Sequence, residues 1–98
     1  MNTQSYFVYI LLCSDGTYYT GMTNDLERRL IEHQDSLNPE SYTSKRLPIE
    51  LKWHATFKYV NDAIKWEKQI KRWSVKKKEA LIEGDYDELI EASKKKFG

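Results

Sequence analysis

The sequence predicts an α/β fold, a small three-stranded and largely antiparallel sheet flanked by helices. Three observations carry that expectation. The run Tyr6-Phe7-Val8-Tyr9-Ile10-Leu11-Leu12-Cys13 is an unbroken stretch of β-formers, which reads as a strand buried on both faces. Ser14-Asp15-Gly16 is a turn that leads into Thr17-Tyr18-Tyr19-Thr20-Gly21, a second strand that completes a hairpin. Further on, apolar residues recur at helical spacing after Asn24-Asp25, after Asn61-Asp62 and after Ser74, all residue types that cap helices.

The elements follow in order. The first helix starts at Asn24 or Asp25 and runs to about Gln34, with Leu26, Leu30 and Ile31 turned inward. Asp35 to Ser44, which contains Asn38-Pro39, is a polar loop. Pro48 opens a third strand, Ile49 to Lys58, with partial alternation. A second helix begins at Asn61 or Asp62 and reaches about Trp73, with Ala63, Trp66, Ile70 and Trp73 as its apolar face. Ser74 caps a third helix through Leu81 and Ile82; Gly84-Asp85 ends it, and a last helix covers about Asp87 to Lys95. The order is β-β-α-β-α-α-α in a single domain over residues 1–98, its core about 5–82 and its C-terminal helical segment about 85–97. Ninety-eight residues leave no room for a second core. Trp53 and Trp66 are expected in that core, and Trp73 either there or as a base-stacking platform.

Composition narrows the class. Apolar residues make up 40% and charged residues 32%, which is too apolar for a disordered chain. No stretch approaches the roughly 18–20 apolar residues of a membrane span. Met1-Asn2-Thr3-Gln4-Ser5 lacks a basic region and a small-residue cleavage site, so no secretory signal is expected. A lone cysteine, Cys13, makes neither an internal disulfide nor a multi-cysteine zinc site; it fits a reducing cytoplasm and reads as a small buried hydrophobe. Net charge is +1, but its distribution is uneven: residues 1–44 carry −4, residues 45–79 carry +7 and residues 80–98 carry −2. The basic middle is either a phosphate-facing surface or a solvated lysine-rich helix face.

Turn length decides whether Tyr9 and Tyr19 meet. A two-residue Asp15-Gly16 loop would pair Leu12 with Tyr19 and place the tyrosines on opposite faces. A three-residue loop puts Gly16 at the left-handed position of a bulged turn. It pairs Leu11 with Tyr19 and Tyr9 with Gly21, so both phenols share a face as diagonal neighbours roughly 7–8 Å apart. The three-residue loop is the expected one. Gly21 then leaves space beside Tyr9.

On the first helix, at about 100° per residue, Arg29 and His33 lie one turn apart on a flank of the buried stripe. They are placed to lean over the face that carries the tyrosines. Arg28 points farther out, and Arg29 has Asp25 and Glu32 as possible salt-bridge partners. On the second helix, Glu67 falls at the border of the apolar face, with Lys68, Lys71 and Arg72 on the other side. Such a carboxylate suits a hydrated cation, because magnesium takes one or two carboxylates and fills its octahedron with waters and substrate phosphate. The competing reading is an exposed i,i+4 pair with Lys71, worth about 0.3–0.5 kcal/mol. Lys71 and Arg72 with Lys76, Lys77 and Lys78 form a candidate shelf for a nucleic-acid backbone. Lys68 belongs to the same basic helix, and Thr43, Lys45 and Arg46 supply a second group of phosphate donors. Contacts of this kind position a polymer without reading its sequence, and they weaken steeply with salt.

Val8-Tyr9-Ile10, followed by Tyr19-Thr20-Gly21, resembles the two halves of the GIY-YIG nuclease motif. Val8 stands where the family has its first glycine, and Thr20 where it has its second isoleucine. Arg29 and His33 follow at the spacing of the family's helical arginine and its histidine or tyrosine. The stretch Tyr19 to Leu30 and the later Glu67-Lys68-Gln69-Ile70-Lys71-Arg72-Trp73-Ser74 are similar to the short, stand-alone bacterial branch. The resemblance covers roughly residues 5–82. It implies metal-dependent hydrolysis of a phosphodiester in nucleic acid, with DNA the expected polymer and no membrane partner. Tyr9, Tyr19, Arg29, His33 and Glu67 would be the catalytic set, and Gly21 a structural member of the motif. Glu67 would hold magnesium or manganese, Arg29 would neutralise charge on the phosphorane-like transition state, and Tyr19 or Tyr9 would take the proton of the attacking water, His33 assisting. A phenol has an ordinary pKa near 10, so nearby cations must lower it for that role. Met22 replaces a lysine found in some relatives, and no late asparagine is present. The alternatives on the same fold are a nucleic-acid-binding module without turnover and a protein-interaction adaptor.

Overall fold

The computed structural model describes residues 4–35 and 43–84. The helix expected at about Asp87 to Lys95 lies outside the described residues. Six elements follow in the order β1 (Tyr6–Leu12), β2 (Tyr18–Thr23), α1 (Leu26–Gln34), β3 (Glu50–Phe57), α2 (Val60–Lys71) and α3 (Val75–Glu83). The sheet has strand order β2-β1-β3 with both pairings antiparallel. The central position of β1 explains its unbroken apolar run: Val8, Tyr9, Ile10 and Leu11 are all 0% exposed, so neither face needs polar residues.

The hairpin uses the three-residue loop. Cys13 N donates to Thr17 O at 2.8 Å and Gly16 N to Cys13 O at 3.0 Å. Gly16 sits at φ 86°, a left-handed conformation that glycine adopts without steric cost. The register that results pairs Leu11 with Tyr19 and Tyr9 with Gly21, and it continues to Phe7 opposite Thr23. This carries β2 two residues past the expected end at Gly21. On the other side of β1 the ladder slips after Ile10: Ile10 pairs with Trp53 but Leu11 with Leu51, which leaves Lys52 as an extra residue on β3.

Alternation divides the molecule into two cores. Val8 and Ile10 face α2, packing with Ala63 and Ile70 and with the half-buried Tyr18, Met22, Trp53, Phe57, Trp73, Leu81 and Ile82. Tyr9 and Leu11 face the opposite way, joining Cys13 and Ile49 under Leu26 and Leu30 of α1. Each fully buried large apolar side chain contributes about 1.5–3 kcal/mol. Asp25 caps α1 by accepting from Arg28 N at 3.1 Å. Ser74 caps α3 by accepting from Lys77 N at 3.2 Å, and Gly84 closes that helix at φ 72°. No helix among the described residues is long and apolar enough to cross a membrane.

Three expectations are corrected. Ile31 is 54% exposed. At about 100° per residue it lies roughly 100° from Leu30 and 140° from Leu26, while His33 falls within about 20° of Leu26 and takes the inward place. Trp66 is 40% exposed rather than core, because the inward line of α2 passes through Ala63, Glu67 and Ile70 and leaves Trp66 on its rim. Helix α2 begins at Val60, not at Asn61 or Asp62, with Tyr59 at its cap and no side-chain cap bond; Asp62 sits in the first turn, where it favours the helix dipole.

Candidate active site

The site is built on the α1 face of the sheet. Tyr9 belongs to the central strand and is 0% exposed. Its cross-strand partner is Gly21, and the phenol lies over that glycine so closely that a Cβ there would be 2.5 Å from Tyr9 Oη and 2.6 Å from Cζ. Only a residue without a side chain leaves the ring its place. Tyr19, diagonal to Tyr9 on the same face, has its ring centroid 6.4 Å away and is half-buried. The loop length that sets the register therefore also sets the tyrosine pair.

Helix α1 brings His33 onto both rings, at centroid separations of 6.0 Å from Tyr9 and 5.5 Å from Tyr19. Its Nε2 is 3.1 Å from Tyr9 Oη, and its Nδ1 is 2.6 Å from Thr43 Oγ1. Burial, and next the charge of Arg29, lower the pKa of His33, so the imidazole is held neutral. Burial is also the leading cause that raises the Tyr9 phenol from 10.0 to about 12, with the Tyr19 charge adding to it and the Arg29 charge opposing it. Tyr9 therefore keeps its proton at neutral pH.

Arg29 is half-exposed and reaches Glu32 through Nε at 3.1 Å, while Arg28 reaches the same carboxylate at 3.5 Å. Of the two partners considered for Arg29, the one found is Glu32. Asp25 is engaged at the helix cap. Thr23, Asn24, Asp25, Arg28, Arg29 and Glu32 line an open polar recess of about 190 Å³, which gives solvent access to the Arg29 side of the site. Glu67 arrives from α2, the helix on the other sheet face. Its side chain is 21% exposed and pairs with Lys71 Nζ at 3.6 Å, and its charge adds the smallest of the upward influences on Tyr9. Glu67 is thus within electrostatic reach of the Tyr9 phenol and open to water at once. Among the described residues no three histidine, cysteine, aspartate or glutamate side chains converge. The donor set fits a cation that takes one protein carboxylate and completes its shell with water and substrate oxygens, not one caged by protein.

The basic residues differ in exposure. Lys45, Lys68, Arg72 and Lys76 are exposed. Lys71 is half-exposed beside Glu67. Arg46 pairs with Asp15 at 3.0 Å, and Lys78 is half-buried, which lowers its pKa. Two of the expected phosphate donors are corrected. Lys77 is only 8% exposed, its Nζ 4.2 Å from the centroid of the Trp73 ring. It lies one turn before Leu81 on the inward side of α3, so its stem packs and its charge rests on the indole. Thr43 is 0% exposed and bonded to His33, so it faces the imidazole and not a polymer. Its link to the site was invisible in the sequence, because Thr43 and His33 are joined only through the intervening loop.

The comparisons with known proteins agree with this fold. The GIY-YIG catalytic domain family matches residues 5–80. A UPF0213 protein of Bacillus pumilus is 39% identical over 83 residues, covering 85% of this chain and 84% of the relative. One from Halobacterium salinarum is 43% identical over 75 residues, covering 76% and 96%. Among solved structures, the UPF0213 protein of Bacillus halodurans superposes with a TM-score of 0.54 at 37% identity, covering 86% of this chain and 92% of that one. An E. faecalis protein gives 0.61 at 36% identity, covering 87% and 90%. A match over residues 5–80, most of the chain, means that the chain belongs to the GIY-YIG catalytic domain family.

Proposed function

We propose that this protein is a divalent-metal-dependent endonuclease that hydrolyses phosphodiester bonds in nucleic acid, with DNA as the expected polymer. The observation that carries the reading is the meeting of two phenols and a neutral imidazole on one sheet face, with Arg29 at its edge and Glu67 close enough to act on Tyr9. The two tyrosines have separate tasks. Tyr9 is fully buried and holds its proton, so it orients its neighbours. Tyr19 is partly open to solvent, and it is the phenol placed to take a proton from an attacking water. Arg29 reaches the phosphate through the polar recess and offsets charge that grows on its oxygens. Glu67 would hold magnesium or manganese, which polarises the phosphate and stabilises the leaving oxygen.

The test is a panel of labelled single-stranded, duplex and branched substrates with magnesium or manganese, beside the Glu67→Ala protein. Metal-dependent cleavage by the wild type and none by the variant is the expected result. Equal cleavage by both would remove Glu67 from the mechanism. The ion pair between Glu67 and Lys71 favours one second reading, a nucleic-acid-binding module without turnover. It predicts salt-sensitive binding and no cleavage with any divalent metal.

A further inference from the structure

Thr43 is a polar residue buried to 0% exposure immediately beside the proposed catalytic set, and the mechanism above gives it no task. Its position is not that of a loose loop residue. Arg46 N donates to Thr43 O at 2.9 Å, and Ser14 N donates to Arg46 O at 2.8 Å. Arg46 Nε also donates to Asp15 Oδ2 at 3.0 Å. The turn that contains Thr43 is thus clamped to the hairpin loop that sets the register of the tyrosines. The side chain then reaches His33 Nδ1 at 2.6 Å, and the other ring nitrogen meets Tyr9 Oη at 3.1 Å.

A neutral imidazole carries one N–H, so the chain Thr43–His33–Tyr9 has two possible senses. In one, Nδ1–H donates to Thr43 Oγ1 and Nε2 accepts from the Tyr9 hydroxyl. In the other, Thr43 donates to Nδ1, and Nε2–H donates to the phenol oxygen. Burial of the phenol decides between them. Tyr9 is 0% exposed, and among the described residues the hydrogen-bond partner of its hydroxyl is His33 Nε2. In the second sense the phenol's own proton must find another acceptor in a fully buried place, which is costly. In the first sense the phenol gives its proton to Nε2, and the ring passes its own proton on to the Thr43 hydroxyl oxygen.

We infer that Thr43 is a positioning residue: its hydroxyl holds the His33 ring with the proton on Nδ1, which makes Tyr9 a donor to His33. The catalytic meaning of this rests on the proposed nuclease reading, whereas the tautomer does not. Removal of the hydroxyl takes away the acceptor for Nδ1–H, and the proton moves to Nε2 in part of the molecules. There it meets the Tyr9 hydroxyl donor to donor, and the phenol turns out of the place in which it orients its neighbours.

Two measurements test this, one without any need for turnover. The ring nitrogens of His33 are read by NMR in 15N-labelled protein at neutral pH. The expected wild-type pattern is a protonated Nδ1 and an unprotonated Nε2. In Thr43→Val the pattern moves toward protonated Nε2, and in Thr43→Ser it returns to that of the wild type. The backbone amide spectrum of each variant shows that it has folded. A wild-type ring protonated on Nε2, or an unchanged ring in folded Thr43→Val, overturns the inference whether or not the protein cuts nucleic acid. If the protein cuts, Thr43→Val lowers kcat by about 10–100-fold with little change in KM, the size typical when the partner orienting a functional imidazole is lost, and Thr43→Ser restores it. A loss confined to KM would also overturn the assignment, because Thr43 does not face substrate. Absence of cleavage by the wild type would instead count against the nuclease reading alone.

Discussion

Replacement of Gly21 by alanine tests the link between hairpin register and site geometry. Gly21 does not need a left-handed backbone, since the positive-φ glycines are Gly16 and Gly84; what it lacks is room. An added Cβ would stand 2.5 Å from Tyr9 Oη, 2.6 Å from Tyr9 Cζ and 3.0 Å from Tyr19 Cε2. Carbon contacts settle near 3.5–4.0 Å, so the phenol has to retreat by about 1 Å. It has nowhere to go. Tyr9 is 0% exposed and wedged among Leu11, Cys13 and Ile49 under Leu26 and Leu30, and a shift of that size takes Oη out of line with His33 Nε2. Overpacking costs about 1–3 kcal/mol, and a weakened buried hydrogen bond about 1–3 kcal/mol more. The lower chain entropy of unfolded alanine returns about 0.4–1 kcal/mol. The net destabilisation is about 1–5 kcal/mol, out of the roughly 5–15 kcal/mol typical of a domain this size. Urea unfolding should show a lower midpoint with an unchanged slope. The double variant Gly21→Ala with Tyr9→Phe removes the atom nearest the new methyl, so it should recover about 1 kcal/mol relative to additivity. A Gly21→Ala protein within 0.5 kcal/mol of wild type, or strictly additive effects, would refute the packing argument.

Two further outcomes follow from buried polar groups. Thr20 is 3% exposed and its Oγ1 has no hydrogen-bond partner among the described residues, so Thr20→Val should raise stability by about 1 kcal/mol and Tm by about 4–8 °C; a lower Tm would show that the hydroxyl is satisfied. Stability should also depend on pH at both ends of the range. The Tyr9 phenol is raised from 10.0 to about 12 on folding, so the folded state binds more protons between those values; the contribution is complete below pH 10 and is lost as pH rises toward 12. Relative to Tyr9→Phe, the wild type should lose about 2–3 kcal/mol across that interval, and parallel curves for the two proteins would contradict it. The His33 shift has the opposite sense: folding lowers its pKa below 6.5, so its contribution is present above pH 6.5 and declines as pH falls below it, which a stability titration against His33→Asn would detect.

The sequence alone determined what local physics can carry. Strand β1 was legible because a residue run buried on both faces must be apolar throughout, and the tyrosine pair because a three-residue turn with Gly16 in the left-handed position fixes register. Helix caps at Asp25 and Ser74 were equally local. The inward faces are less legible: Ile31 reads as core and His33 as its flank, although the angular position of His33 lies nearer Leu26. Tertiary structure decided the contacts that cross between elements. Thr43 reads as a phosphate donor beside Lys45 and Arg46 until the folded chain brings it onto His33. Lys77 reads as part of a basic run until α3 lays it over Trp73. Glu67 and Tyr9 lie on opposite sides of the sheet layer, and only the packing of α2 brings that carboxylate within electrostatic reach of the phenol. The motif residues were therefore set by spacing along the chain, which periodicity can express. Their protonation and partners were set by burial and by neighbours distant in sequence, which only the folded chain supplies.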